Sequence, residues 1–203
     1  VKGEELTTSM LRYAYERGWF PMTMDDGEVH WFQPYRRALF PISGIHVSRS
    51  LRRVIRRGEF EIRFDTSFRE VVLACFRPGG NWLSEHFVRV YTEAFEEGWG
   101  HCCECWKDGE LVGGVYGLAI GSCFSAESMF HRATNASKVA LWAMVEKCRR
   151  LGFEIFDAQI MNPHLESLGA FEVPHEDFML RLDRALRRAN PWDGYGYGTG
   201  EIF

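Results

Sequence analysis

Ser122-Cys123-Phe124-Ser125-Ala126-Glu127-Ser128-Met129-Phe130, a helical run over 137–151 closed by Gly152, and Glu154-Ile155-Phe156-Asp157-Ala158-Gln159-Ile160 decide the fold of this chain. The outer stretches have the length and alternation of strands, and the middle one has the length and glycine stop of a helix. Together they form a strand–helix–strand unit. An antiparallel meander leads into it: 101–106, the turn signal Lys107-Asp108-Gly109-Glu110, then 111–120. Further upstream, strands are expected at 38–41 and 60–64 and helices at 8–17, 68–75 and 84–98. Downstream, a short helix is expected at 163–168 and a last one at 178–188. Trp19-Phe20-Pro21, a turn at Asp25-Asp26-Gly27 and His30-Trp31-Phe32-Gln33-Pro34 make a small aromatic-rich opening unit.

This pattern is of the α/β (α+β) class and resembles GNAT-type acyltransferases at the level of fold, which says little about the reaction. The expected division is a small N-terminal domain over 1–36, a GNAT-like domain over 37–192 and a Gly/Tyr tail over 193–203, read as mobile. At 203 residues the chain can bury a substantial core. No apolar run reaches the length of a membrane span, and the first residues lack the apolar core of a signal peptide. The expectation is a soluble, cytoplasmic protein without membrane contact. The sequence opens on Val1 rather than Met, as a trimmed chain does.

Charge is unevenly spread. Residues 29–58 hold seven arginines and no acid, while the other 173 residues carry 17 Lys+Arg against 28 Asp+Glu. Within Ser48-Arg49-Ser50-Leu51-Arg52-Arg53-Val54-Ile55-Arg56-Arg57-Gly58, Leu51, Val54 and Ile55 form an apolar stripe. Ser48 is placed to cap the helix and Gly58 to stop it. Arg49, Arg53, Arg56 and Arg57 then share the solvent side. Either this is an ordinary solvated face, or it meets a polyanion that relieves the repulsion, with nucleic acid as the partner.

Of six cysteines, Cys102, Cys103 and Cys105 fall in one strand and Cys123 in another. Alternation separates Cys102 from His101, Cys103 and Cys105, and no second Cys-x-x-Cys or His pair completes a tetrahedral set, so no metal site is expected. Asp157 and Gln159 share one strand face with Ile155 and Met161. Either they belong to an internal polar network or they line a site at the mouth of a splayed sheet, with Asp157 orienting or polarising a group and Gln159 holding substrate. Glu127 and Met129 share a face of their strand; Glu127 reads as a salt-bridged core acid or as the receiver of an α-ammonium group. Trp82 is a loop aromatic suited to packing or to stacking a base. An acetyl-CoA enzyme of this fold needs a glycine-rich pyrophosphate loop before its central helix, but His131-Arg132-Ala133-Thr134-Asn135-Ala136-Ser137-Lys138 has no glycine.

Seven segments occur in order: Tyr15-Glu16-Arg17-Gly18-Trp19-Phe20-Pro21, His46-Val47-Ser48-Arg49-Ser50, Leu111-Val112-Gly113-Gly114-Val115-Tyr116-Gly117, Glu127-Ser128-Met129-Phe130, Asn135-Ala136-Ser137-Lys138, Asp157-Ala158-Gln159 and Ser167-Leu168-Gly169-Ala170. Over about 6–192 the chain resembles the bacterial leucyl/phenylalanyl-tRNA–protein transferases. The resemblance implies transfer of Leu or Phe from Leu-tRNA or Phe-tRNA to a protein or peptide beginning with Arg or Lys, which marks it for N-degron proteolysis. It implies no metal, no CoA or other cofactor, and a monomer. By position it puts tRNA contacts on Arg49, Arg53, Arg56 and Arg57, and the chemistry on Asp157 and Gln159. It also puts Trp82 against the terminal adenosine, and Glu127, Val115, Met129, Met144 and Phe156 around the pocket for the transferred side chain. Departures are Met22 in place of a common tryptophan and Gln33-Pro34-Tyr35-Arg36-Arg37 in place of Ser-Pro-Asp-Pro-Arg. The family's opening segment is missing before Leu6, and the tail has no counterpart. A GNAT-type acyltransferase with another donor and a non-catalytic tRNA-binding protein are the rival readings.

Overall fold

The fold comes from a computed structural model that describes residues 5–24, 28–76 and 85–193. Sixteen elements follow one another: α1 (Thr8–Tyr15), β1 (Phe20–Thr23), β2 (Val29–Phe32), β3 (Arg36–Phe40), α2 (Arg49–Arg57), β4 (Glu61–Phe64), α3 (Phe68–Cys75) and α4 (Glu85–Glu96), then β5 (Gly100–Lys107), β6 (Glu110–Ile120), β7 (Cys123–His131), α5 (Ala136–Leu151), β8 (Ile155–Gln159), α6 (Pro163–Ser167), β9 (Phe171–Pro174) and α7 (His175–Leu186). The mixed α/β class and the order of elements agree with the sequence, apart from β1, β2 and β9, which were not foreseen as strands. The turn at 25–27, Trp82 and the tail from 194 onward lie outside the described residues.

Seven strands form one sheet in the order β4-β5-β6-β7-β8-β3-β9, and β1 pairs with β2 in a separate hairpin. Every pairing is antiparallel except β7 with β8, the two strands joined through α5. The alternation of β5 sorts its cysteines as expected. Cys103 and Cys105 enter the core beneath α5 and α2, whereas Cys102 enters the core on the other face, with α1, α3 and α4. All six thiols are free and buried. The opening residues Leu6, Leu11, Tyr15, Phe20 and Val29 share that second core rather than building one of their own.

Capping follows the sequence closely. Thr7 accepts from the amide of Met10, Ser48 from that of Leu51, and Asn162 from that of Leu165. Gly58 closes α2 in the left-handed conformation. Buried Glu104 on β5 accepts from the amides of Thr66 (2.7 Å) and Ser67 (2.8 Å), where α3 begins. Among the described residues no helix is long and apolar enough to cross a membrane.

The α5 start docks tightly on β6. A Cβ added at Gly113 meets the Ala136 Cβ at 2.5 Å and its carbonyl carbon at 2.9 Å. Gly113→Ala is therefore expected to cost about 1–3 kcal/mol through overpacking, read as a lower urea midpoint with an unchanged m-value.

Candidate active site

Strands β7 and β8 hydrogen-bond over only three rows, ending at Ser125 opposite Asp157. β7 continues to His131 against β6, so the sheet opens beyond that row. Each strand is irregular at the opening. On β7, Ser128 faces Tyr116 and Ala126 faces Gly117, leaving Glu127 without a partner on β6. On β8, Asp157 pairs with Leu39 and Gln159 with Ala38, so Ala158 is passed over. Such bulges re-aim side chains, and they correct two expectations from simple alternation. Glu127 and Met129 both reach the cavity but from different sides of β7: Glu127 bonds to Tyr91 of α4, while Met129 packs on the core beneath α5. Asp157 is sealed in the interior while Gln159, at a left-handed φ of 63°, lines the cavity.

Asp157 is fully buried and does not line the cavity. Its Oδ1 accepts from Arg37 Nε (2.8 Å) and the Gln159 amide (2.9 Å); its Oδ2 accepts from Arg37 Nη2 (2.6 Å) and Ser125 Oγ (3.2 Å). Arg37 is 2% exposed, donates from Nη1 to the Gly18 carbonyl at 2.9 Å, and lies between the rings of Phe20 and Phe178. Burial disfavours its charge, but the Asp157 carboxylate outweighs burial and the guanidinium pKa rises. Asp157 is thus the acid of a saturated internal ion pair.

Glu127 and Gln159 do line the cavity, of about 590 Å³, with Phe20, Pro21 and Met22 on one side and Val115, Met129, Phe40 and Leu141 forming apolar wall. Gln159 Nε2 donates to Glu127 Oε1 at 3.0 Å and the Tyr91 hydroxyl donates to Oε2 at 2.9 Å. The Tyr15 hydroxyl stands 3.5 Å from that of Tyr91. Glu127 keeps part of its surface open to the cavity while protein crowds it elsewhere. Burial pushes its pKa up to about 7; Tyr15, Tyr91 and Gln159 hold it back by hydrogen bonding, and Asp157 adds to the rise.

Of the other anticipated residues, Val115 and Met129 reach the cavity, whereas Met144 and Phe156 are fully buried and do not line it. Trp82 lies outside the described residues. Arg49, Arg53, Arg56 and Arg57 are exposed on α2; only Arg57 has an acid nearby, Glu59 at 3.9 Å, among the described residues. No group of three or more His, Cys, Asp or Glu is placed to hold a metal among them. Arg37 and Tyr91 were missed. Arg37 counted only toward a basic run, although its place two residues before Leu39 in a strand put it on an inward face. A buried arginine demands a carboxylate.

Removing one partner strands a buried charge. Arg37→Met is expected to lose about 3–5 kcal/mol, and Arg37→Met with Asp157→Leu to recover part of that loss. Urea unfolding of Arg37→Met, Asp157→Leu and the double variant checks this; a double variant as unstable as the sum of the singles would refute the coupling.

Residues 39–183 match the family model described as leucyl/phenylalanyl-tRNA protein transferase, and residues 4–34 match the model of that protein's N-terminal domain. A leucyl/phenylalanyl-tRNA–protein transferase of Herpetosiphon aurantiacus is 44% identical, the match covering 91% of this chain and 96% of that one. Its namesake in Chlorobaculum parvum is 48% identical over 86% of this chain and 93% of its own. That of Gloeobacter violaceus is 42% identical over 89% and 94%. With the family model spanning most of the sheet and the relatives aligned along nearly their whole length, this chain belongs to the leucyl/phenylalanyl-tRNA–protein transferase family.

Proposed function

We propose that this chain transfers Leu or Phe from the 3′ end of its aminoacyl-tRNA to the α-amine of a protein or peptide beginning with Arg or Lys, marking the acceptor for degradation. The observation that carries the mechanism is the Glu127–Gln159 pair at the mouth of an apolar cavity, beside a buried Asp157 with no free acceptor role. The acceptor amine attacks the ester carbonyl, a C–N bond forms, and the C–O bond to the ribose breaks. The amine's proton passes to Glu127 and from there to the departing ribose oxygen. Gln159 holds the amine or the carbonyl. Asp157 acts through its neighbour, fixing the Gln159 backbone amide at 2.9 Å and so aiming the side chain. The ester is already activated, so positioning supplies much of the acceleration and the reaction as written needs no cofactor.

Val115 and Met129 receive the transferred side chain, with Met144 and Phe156 packed behind them to set the depth of the slot. A flexible methionine suits both Leu and Phe. The exposed arginines Arg49, Arg53, Arg56 and Arg57 hold the tRNA backbone, supported by their freedom from strong ion pairs and the lack of any acid in α2. In this reading 37–192 is a GNAT-like catalytic domain, 1–36 a small N-terminal domain that floors the cavity through Phe20, Pro21 and Met22, and 193–203 a tail. The protein works in the cytoplasm as a monomer.

Radiolabelled Leu-tRNA or Phe-tRNA is expected to label an Arg-starting peptide and to leave an Ala-starting one unlabelled. No transfer despite tight tRNA binding would refute the activity. Glu127 adds a pH signature. Both the acceptor amine, of pKa about 8, and Glu127 must be deprotonated, so log kcat/KM should approach a slope of two well below pH 7. Glu127→Gln is expected to lower the rate and reduce that slope to one; a slope of two kept by the variant excludes Glu127 as proton acceptor.

A further inference from the structure

We propose that His131 and His164, on the wall of the reaction cavity, and Lys138, next along α5 from Ser137 of that wall, bind a phosphodiester of the donor's 3′-terminal strand. The inference rests on aminoacyl-tRNA being the donor. The three side chains come from different places in the fold: the end of β7, the first turn of α5, and α6. His131 and His164 are exposed and line the cavity together with buried Ser137, whose hydroxyl is 3.4 Å from His131 Nδ1.

Among the described residues no acid offsets the basic character of this group. Burial lowers the pKa of His164, and Lys138 and His131 lower it further, with no carboxylate acting in the opposite sense. None of the three takes part in an ion pair among the described residues. The start of α5 adds to the same field: it has no acid in its first turn, and its N-cap Asn135 sits at φ 69° without a side-chain cap. A basic cluster left unpaired at the edge of a cavity is relieved by an anion, and a phosphate oxygen accepts from an imidazole N–H and an ammonium together.

The cavity is therefore polarised. Glu127 marks one part of its wall, and His131 and His164, with Lys138 next to Ser137, mark another. The first repels phosphate and attracts the acceptor's ammonium, whereas the second does the reverse. The two substrates are thereby kept from exchanging places, so like-charge repulsion supplies orientation as well as affinity.

Two minimal donors separate this site from the rest of the machinery: adenosine carrying a 3′-leucyl ester, and the same ester of adenosine 5′-monophosphate. With an Arg-starting acceptor, the phosphate should raise kcat/KM about tenfold, the worth of a charge-assisted contact. In His131→Ala with Lys138→Gln that ratio should fall toward one, and because it is a ratio it is insensitive to any general loss of activity. A ratio near one in the unaltered protein, or an undiminished ratio in the variant, overturns the proposal. A second measurement needs no variant. Adenosine 5′-monophosphate, but not adenosine, should shift the imidazole proton resonances of His131 and His164; equal shifts with both ligands, or none, also overturn it. Absence of transfer from both donors would refute the transferase reading instead, and the resonance titration would still decide the phosphate site.

Discussion

A carboxylate with no access to water must be fully compensated, and in this protein that demand falls on Asp157. Four donors meet it, two of them from one arginine, Arg37. The effective cost of desolvating an ion is several kcal/mol even after relaxation, and the pair offsets it with four hydrogen bonds to the carboxylate and one from each guanidinium nitrogen. Arg37 carries the constraint outward. It reaches the Gly18 carbonyl behind the opening hairpin, and its guanidinium is held between Phe20 of β1 and Phe178 of α7. Four separate parts of the chain thus meet at a single planar cation: the opening hairpin, β3, β8 and α7. The Gln159 backbone, in a conformation that a residue with a side chain seldom adopts, is held there by the same carboxylate.

That arrangement explains which parts of the fold were legible in the sequence. Helices announce themselves locally: Thr7, Ser48, Gly58 and Gly152 cap or stop theirs as their residue types require. The meander was equally plain, with Asp108-Gly109 marking its turn. Strand β9 was not, because Phe171–Pro174 is four residues ending in proline and becomes a strand only by pairing with β3. The bulges at Glu127 and Ala158 were invisible for a related reason: they are set by which residue faces which across the sheet, and nothing in either strand alone records it. Asp157 and Gln159 stand out as polar residues in an apolar strand, but nothing in the strand tells that one is sealed by Arg37 and the other opens on the cavity.

The basic run changes meaning in the same way. Seven arginines in 29–58 suggested one electrostatic feature, yet Arg37 is consumed by Asp157 and Arg36 meets Glu172 at 3.1 Å. What remains is confined to α2, where five arginines face solvent on a helix with no acid of its own. Composition measured the charge correctly. The fold divides it into a structural part and a surface part, a partition that depends on partners far along the chain, such as Asp157.

The two carboxylates near the opening show how environment sorts chemically similar groups into different tasks. Asp157 sits beside a guanidinium and accepts four hydrogen bonds, which leaves it nothing to offer a substrate. Glu127 has no cationic neighbour of that kind; burial dominates, and its pKa of about 7 leaves it able to hold or release a proton near neutrality. An amine attacking an ester must lose a proton at the moment the new bond forms, and only a group on the cavity wall can receive it. Glu127 is on that wall and Asp157 is not. The side chain that bridges the two environments is Gln159, tied through its amide to the locked carboxylate and through its Nε2 to the free one. Asp157 and Gln159 stand one residue apart on β8, and the bulge between them leaves the first sealed in the interior and the second on the cavity wall, within reach of Glu127 on β7.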